Sequence, residues 1–238
     1  MKYERVVKGS FLSRPNKFIA KVAINGREET VHVKNTGRCR ELLVEGCTVY
    51  LSVSDNPLRK TKYDLIAVEK KREGKSPLLI NMDSQIPNDV CGDWLKKGIL
   101  FSENAKIRRE YTYKSSRFDF YIEDGERKIF LEVKGCTLEN DGIASFPDAP
   151  TERGVKHIRE LTSALCDGYE AYILFVIQMK EMTEMRPNDI THVAFGDALR
   201  EAHKRGVKIL AYDCAVTPDS IEIDKEIKVN LDTEEGIL

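Results

Sequence analysis

The 238-residue sequence predicts two folded parts, a small β-barrel or sandwich followed by a mixed α/β domain. Three observations predict this. Residues 16–82 contain short apolar-alternating segments separated by turn signals, with little helical periodicity. Beyond Pro87, helix and strand patterns alternate. The charge also divides there: residues 1–82 carry 17 Lys/Arg against 9 Asp/Glu, net +8, and residues 83–238 carry 21 against 30, net -9. A basic part joined to an acidic one suits a polyanion partner for the first, although uneven surface charge would give the same count. The expected domains are 1–82 and 83–238. With 41% hydrophobic and 32% charged residues, the chain is too apolar to be disordered.

The first part starts with Lys17–Ile24, where Phe18, Ala20, Val22 and Ile24 alternate with the other face. Asn25-Gly26 supplies a type I′ turn into Glu29–Val33. Strands follow at Thr48–Val53, Lys62–Glu69 and Pro77–Asn81, with Asn35-Thr36-Gly37, Glu45-Gly46 and Asp55-Asn56-Pro57 as breaks. Arg38–Leu43 has room for one or two helical turns.

In the second part, Asn88 is the expected N-cap of a helix over Asp89–Lys97, closed by Gly98. Strands are expected at 107–113, 116–123 and 127–134, and a helix over Thr151–Asp167 with Val155, Ile158, Leu161 and Leu165 inward. Glu170–Met179 is nearly all apolar, as in a strand buried on both faces. A short helix over Asp197–Arg205 leads into a strand at Val207–Val216. From Asp219 onward a peripheral strand and an acidic tail are expected.

Several function classes lose support. The charged N-terminus has no signal-peptide core, and Tyr172–Ile177 is far short of the ~20 apolar residues of a membrane helix. The six cysteines form no CxxC pair, which fits buried reduced thiols better than zinc or disulfides. A cytoplasmic protein without membrane contact is expected. No GxxxxGK[ST] loop or GxSxG elbow occurs.

The segment Ser116–Lys134 carries acid and base together. Asp124-Gly125 is a two-residue hairpin signal, and taking it as the turn pairs residues whose numbers sum to 249. Phe118, Phe120 and Ile122 then share an apolar face with Ile129, Leu131 and Val133. The other face carries Asp119, Glu132 and Lys134, with Asp119 diagonal to Glu132 at ~7–8 Å between Cα atoms. Two carboxylates at that spacing suit Mg²⁺ or Mn²⁺, and Lys134 would steady a nucleophilic water or a developing oxyanion. A half-exposed hairpin with solvated charges would use the same residue types.

At these residues the chain resembles the PD-(D/E)xK nuclease superfamily. Over nearly its whole length it resembles the sugar fermentation stimulation protein A family. The resemblance rests on Asn35-Thr36-Gly37, Leu51-Ser52, Asn56-Pro57, Arg59-Lys60-Thr61 and Pro87-Asn88. It continues through Ser116-Arg117-Phe118-Asp119-Phe120, Glu132-Val133-Lys134, Phe146-Pro147-Asp148-Ala149, Thr151-Glu152-Arg153-Gly154, Lys156-His157 and Leu210-Ala211-Tyr212.

The resemblance implies an N-terminal OB-like small β-barrel and a restriction-endonuclease-like mixed α/β domain. It also implies DNA binding and a role in sugar, especially maltose, metabolism. Asp119, Glu132 and Lys134 fall on the superfamily's catalytic positions, with Asp119 and Glu132 as metal ligands. The acidic position of the first helix falls on Asp93, where members usually carry Glu. Cys39 stands where members usually carry Met.

Secondary clusters fit a nucleic-acid partner, with DNA expected ahead of RNA. Arg38, Arg40, Arg59, Lys60 and Lys62 with Tyr63 would form a cationic groove with an aromatic platform on the barrel. Arg153 and Lys156 lie on the first turns of a helix, where backbone N–H groups favour phosphate. His157 is read first as a surface or hydrogen-bonded histidine and second as a base. The expected activity is metal-dependent phosphodiester hydrolysis, the alternative a non-catalytic DNA-binding regulator. Oligomeric state stays open.

Overall fold

The computed structural model describes residues 1–35 and 37–233. Thr36, within the expected turn, and residues 234–238 of the acidic tail lie outside the described residues. Six strands build the first unit: β1 (Val6–Asn16), β2 (Ile19–Ile24), β3 (Arg27–Val33), β4 (Thr48–Val53), β5 (Tyr63–Arg72) and β6 (Lys75–Asn81). Their order is β3-β2-β1-β4-β5-β6, and a parallel β3–β5 pairing at His32↔Asp64 and Val33↔Leu65 closes the ring. Five strands closed in that order form an OB barrel.

Alternation fills the barrel as the sequence predicts. Ala20, Val22 and Ile24 point inward with Val31, Val49, Leu51 and Leu65, although Phe18, just outside β2, stays 45% exposed. Asn25 and Gly26 both have positive φ, 49° and 77°, as a type I′ turn requires. Arg38–Leu43 is irregular rather than helical, and Cys39 is buried in the barrel core. The long first strand β1 has no counterpart in the sequence reading.

The second unit opens with α1 (Ile86–Leu95), followed by β7 (Lys106–Tyr113), β8 (Ser116–Asp124), β9 (Arg127–Cys136), β10 (Leu138–Asn140) and β11 (Ile143–Phe146). Then come α2 (Glu152–Ala164), β12 (Glu170–Ile177), β13 (Glu184–Pro187), α3 (Asp189–Lys204), β14 (Lys208–Thr217), β15 (Ser220–Glu226) and β16 (Lys228–Val229). The main sheet runs β15-β14-β12-β9-β8-β7, with β9, β12 and β14 parallel and the outer pairs antiparallel. It is a mixed α/β sheet. α1 packs Val90, Trp94 and Leu95 against Phe120, Ile129, Leu131 and Val133 on one face. On the other, α2 packs Val155, Ile158 and Leu161 with Phe118, Phe130 and α3. Each such buried side chain contributes about 1.5–3 kcal/mol relative to exposure.

Three expectations need correction. α1 starts at Ile86 with Pro87 in its first turn, so Asn88 lies inside the helix and does not cap it. α3 begins eight residues before the expected Asp197 and departs from helical geometry at His192. In the acid–base hairpin, Asp124 pairs with Arg127 and Phe120 with Leu131, a sum of 251. The turn is centred on Gly125-Glu126, with Gly125 at φ 63° in the first central position, as a type II′ turn prefers. A two-residue slide keeps the faces of Phe120, Ile122, Ile129 and Leu131. Phe118 departs from that face: its ring lies 5.0 Å from Phe130, on the α2 side.

The two units are locked together. Asn81 N–H donates to the Gln178 carbonyl (2.9 Å), and the Gln178 amide donates to the carbonyls of Asn81 (3.1 Å) and Asp83 (3.0 Å). Lys70 pairs with Glu139 and Arg72 with Glu181 across the junction. Lys2 bridges to Ser220, so the chain start lies along β15.

Candidate active site

The β8–β9 ladder ends at Phe120↔Leu131, and beyond that rung the strands part. Asp119 occupies the opening. Its Oδ2 accepts the Val133 backbone N–H (2.8 Å), and its Oδ1 accepts from Asn88 Nδ2 (2.8 Å) on α1. Glu132 lies on the neighbouring strand, 3% exposed. Its Oε1 accepts from Lys134 Nζ (2.6 Å) and from His157 Nδ1 (2.6 Å) on α2. Arg153 Nε donates to His157 Nε2 at 3.4 Å, so Nδ1 carries the proton given to Glu132. Glu132 Oε2 is buried with no partner.

Glu132 and Lys134 therefore meet directly, and Asp119 reaches the Val133 backbone between them, near enough to feel both charges. Burial, and then the nearby Glu132 charge, push the Asp119 carboxyl above its ordinary value, while Val133, Lys134 and Asn88 act in the other direction. Burial also acts to raise Glu132, but the Lys134 ammonium and His157 outweigh it and hold that carboxyl low. An ionised Glu132 beside a reluctant Asp119, with one oxygen bare, is an arrangement short of positive charge. Two hard carboxylates there could accept a divalent cation. Among the described residues, no group of three metal-type side chains is already gathered.

Asp93 is not brought to this pair. It lies one turn after Asp89, outside the apolar stripe, with its side chain 57% exposed and 3.9 Å from Lys96. The α1 residue that reaches Asp119 is Asn88. A helix start moved three residues upstream, signalled by Pro87, would have revealed it. His157, expected at the surface or hydrogen-bonded, is buried, and its partner is Glu132. The sequence signal was its place beside the Val155–Ile158–Leu161 stripe.

The basic residues are only partly available. Arg59 is committed to Asp64 through both terminal nitrogens (2.7 and 2.5 Å), with His32 on the same carboxylate. Arg38, Arg40, Lys60 and Lys62 are exposed, and the Lys62 ammonium lies 5.5 Å from the centre of the half-buried Tyr63 ring. On α2, Arg153 is exposed beside His157, while Lys156 donates to the Ser115 carbonyl (3.2 Å). Among the described residues, no helix is long and apolar enough to cross a membrane.

Comparison with known proteins agrees with this architecture. Residues 12–76 match the model of the SfsA N-terminal OB domain, and residues 85–220 that of the sugar fermentation stimulation protein RE domain. The sugar fermentation stimulation protein homolog of Desulfitobacterium hafniense (strain Y51) is 61% identical over 97% of this chain and 99% of that protein. The homolog of Ruminiclostridium cellulolyticum is 55% identical over 97% of this chain and its own full length. A solved structure described as Pyrococcus furiosus SfsA in complex with Ca²⁺ superposes with a TM-score of 0.82 at 28% identity. That match covers 97% of this chain and 98% of the other. The chain belongs to the sugar fermentation stimulation protein family.

Proposed function

We propose that the chain is a divalent-metal-dependent nuclease of the PD-(D/E)xK type, acting on DNA. The observation that carries this reading is the bare, buried Oε2 of Glu132, next to a second carboxylate already crowded by the first. A native protein rarely leaves such an oxygen without a partner. The Ca²⁺ named with the P. furiosus relative is a hard, oxygen-seeking cation and supports the same reading.

Asp119 and Glu132 are the residues that would hold Mg²⁺ or Mn²⁺. Bound there, such an ion offsets charge on a phosphodiester and lowers the pKa of a coordinated water. Asn88 and the Val133 N–H fix the Asp119 carboxylate, and His157 fixes Glu132 through Oε1, which leaves Oε2 without a protein partner. Lys134 keeps an ammonium within reach of a phosphate oxygen, where positive charge stabilises a pentavalent intermediate. The exposed Arg38, Arg40, Lys60 and Lys62 of the barrel would hold the strand by its phosphates, with affinity that falls steeply with salt.

A second reading is a DNA-binding regulator of sugar metabolism without catalysis. It is favoured by Asp93, whose position in solvent deprives the pair of an acidic ligand from α1. Incubation of DNA with Mg²⁺ or Mn²⁺ separates the two. The nuclease reading expects strand cleavage that is abolished by EDTA and lost in Glu132→Ala and Lys134→Ala while both variants still bind DNA. Binding without metal-dependent cleavage by the wild type supports the regulator.

A further inference from the structure

A cavity of about 200 Å³ lies where the barrel meets the second unit, at the carboxyl ends of the parallel strands β9 and β12. Crevices of α/β sheets form at such ends. Asn35, Gly135, Thr137, Ser145, Asp148 and Gln178 contribute its polar wall, and Phe146 an aromatic one. Gly135 directly follows Lys134, so the cavity begins one residue, about 3.3 Å of strand, beyond the backbone that carries the proposed catalytic lysine.

The walls are held in place. Gln178 is 1% exposed, and its Nε2 donates to Asn81 O (3.1 Å), Asn81 Oδ1 (3.1 Å) and Asp83 O (3.0 Å). Those three acceptors fix the amide, and its Oε1 takes no donor among the described residues. A Cβ at Gly135 would lie 2.6 Å from that Oε1, so glycine there keeps the oxygen uncovered. Opposite, Arg14 binds the carbonyls of Asn35 (2.6 Å), Gly37 (2.9 Å) and Arg38 (2.8 Å) and fixes the barrel loop. Asn35 Oδ1 accepts the Gly37 N–H (2.8 Å), which leaves its Nδ2 as a donor. Asp148, exposed at the mouth, has no hydrogen-bond or ion-pair partner among the described residues and does not cap α2, a role taken by Thr151. The Phe146 ring packs 5.6 Å from Phe175 and 5.1 Å from Phe195.

The chemistry of this lining selects its ligand. No Lys, Arg or His stands among the described lining residues, so a phosphate or carboxylate would face Asp148 uncompensated. One fixed acceptor at Gln178, an exposed carboxylate at Asp148, one amide donor and a flat aromatic wall match the edge and face of a single heterocyclic base. At about 200 Å³ the cavity lies below the ~300–1,000 Å³ of pockets for drug-sized ligands, a size for one small ring system and not for a base pair.

We propose that this cavity binds one unpaired nucleobase bearing an exocyclic amino group, drawn from the strand whose phosphate meets Lys134. Gln178 Oε1 and the Asp148 carboxylate accept from the amino edge, and Asn35 Nδ2 donates to a ring or carbonyl acceptor. A base inside a duplex cannot enter, so the site selects a nucleotide already out of the stack. This inference rests on the nucleic-acid reading above.

The test uses the full chain and fluorescent duplexes of one sequence: fully paired, or with a single bulged cytosine, thymine or abasic residue. Anisotropy at low salt is expected to show the cytosine bulge bound about tenfold more tightly than the other three, the scale of one good base contact. Asp148→Asn is expected to bind all four within twofold of one another. Equal wild-type affinity for the cytosine, thymine and abasic bulges overturns the proposal, as does an Asp148→Asn variant that keeps the tenfold preference. If no duplex binds, the nucleic-acid reading fails by itself. Saturation-transfer NMR with free cytidine and thymidine then judges the cavity: a cytidine signal lost in Asp148→Asn supports it, and equal signals overturn it.

Discussion

His157 Nδ1 lies 2.6 Å from Glu132 Oε1, with both side chains buried, so α2 and β9 are joined through a charge-assisted hydrogen bond. Loss of the imidazole leaves that carboxylate with Lys134 as its remaining partner. His157→Ala is expected to lower unfolding stability by about 1–3 kcal/mol in urea denaturation. His157→Asn, whose amide nitrogen comes close to the Nδ1 position, should recover part of that loss. Equal stability of the three proteins would mean that the contact contributes nothing.

Gly135 is a second sensitive position. An added methyl would lie 2.6 Å from Gln178 Oε1 and 2.7 Å from Pro87 Cγ, both held by buried neighbours. Gly135→Ala should therefore cost about 1–3 kcal/mol from overpacking. Gly46→Ala, which meets nothing within 4 Å but has φ 79°, separates backbone strain from crowding. A Gly135→Ala protein as stable as wild type would show that Gln178 and Pro87 give way easily.

Thiol chemistry offers an independent check on the packing. Cys166 is exposed, and the other five cysteines are buried. Burial pushes the Cys39 and Cys136 thiols up to about 12 and raises Cys47, Cys91 and Cys214 as well. A thiol reagent at pH 8 should modify one cysteine quickly in the folded protein and six after denaturation. Rapid modification of a second thiol would contradict the burial described.

Much of this architecture is legible in the sequence because local rules and tertiary packing agree. Asn25-Gly26 fixes its turn unaided, and the alternation around Phe120 and Leu131 survives even a two-residue error in register. The rest depends on contacts distant in sequence. β1 shows no clean alternation, and its pairing with β2 is interrupted by register shifts between Phe11 and Ser13 and between Ser13 and Asn16. β10, β11, β13 and β16 have two to four residues each and exist only through mutual pairing. At the site, Glu132 and Lys134 keep the strand alternation, whereas Asp119 sits where Phe118 and Phe120 turn to opposite sides of the sheet, which periodicity alone does not predict. Asn88 was not legible, since its role depends on where α1 begins. No local pattern links His157 to a carboxylate 25 residues earlier.

Acid should weaken the fold in part through Glu170. Its carboxylate is held at about 2, below its ordinary 4.5, first by Arg127 and also by Lys208. A depressed carboxyl stabilises the fold above its ordinary pKa and loses that contribution as pH falls from about 4.5 toward 2. At this partly exposed position, solvent screening leaves about 1 kcal/mol. Wild type should melt above Glu170→Gln at pH 6, and the two curves should converge near pH 2. A gap of constant size would remove the assignment.

One ion held between Asp119 and Glu132 is the centre of the proposed chemistry. Crystals grown with Mn²⁺ and measured at the manganese absorption edge test this most directly. The prediction is an anomalous peak at bonding distance from both carboxylates, with Glu132 Oε2 among its ligands. A well-occupied peak elsewhere, with Glu132 Oε2 still bare at saturating Mn²⁺, would contradict it.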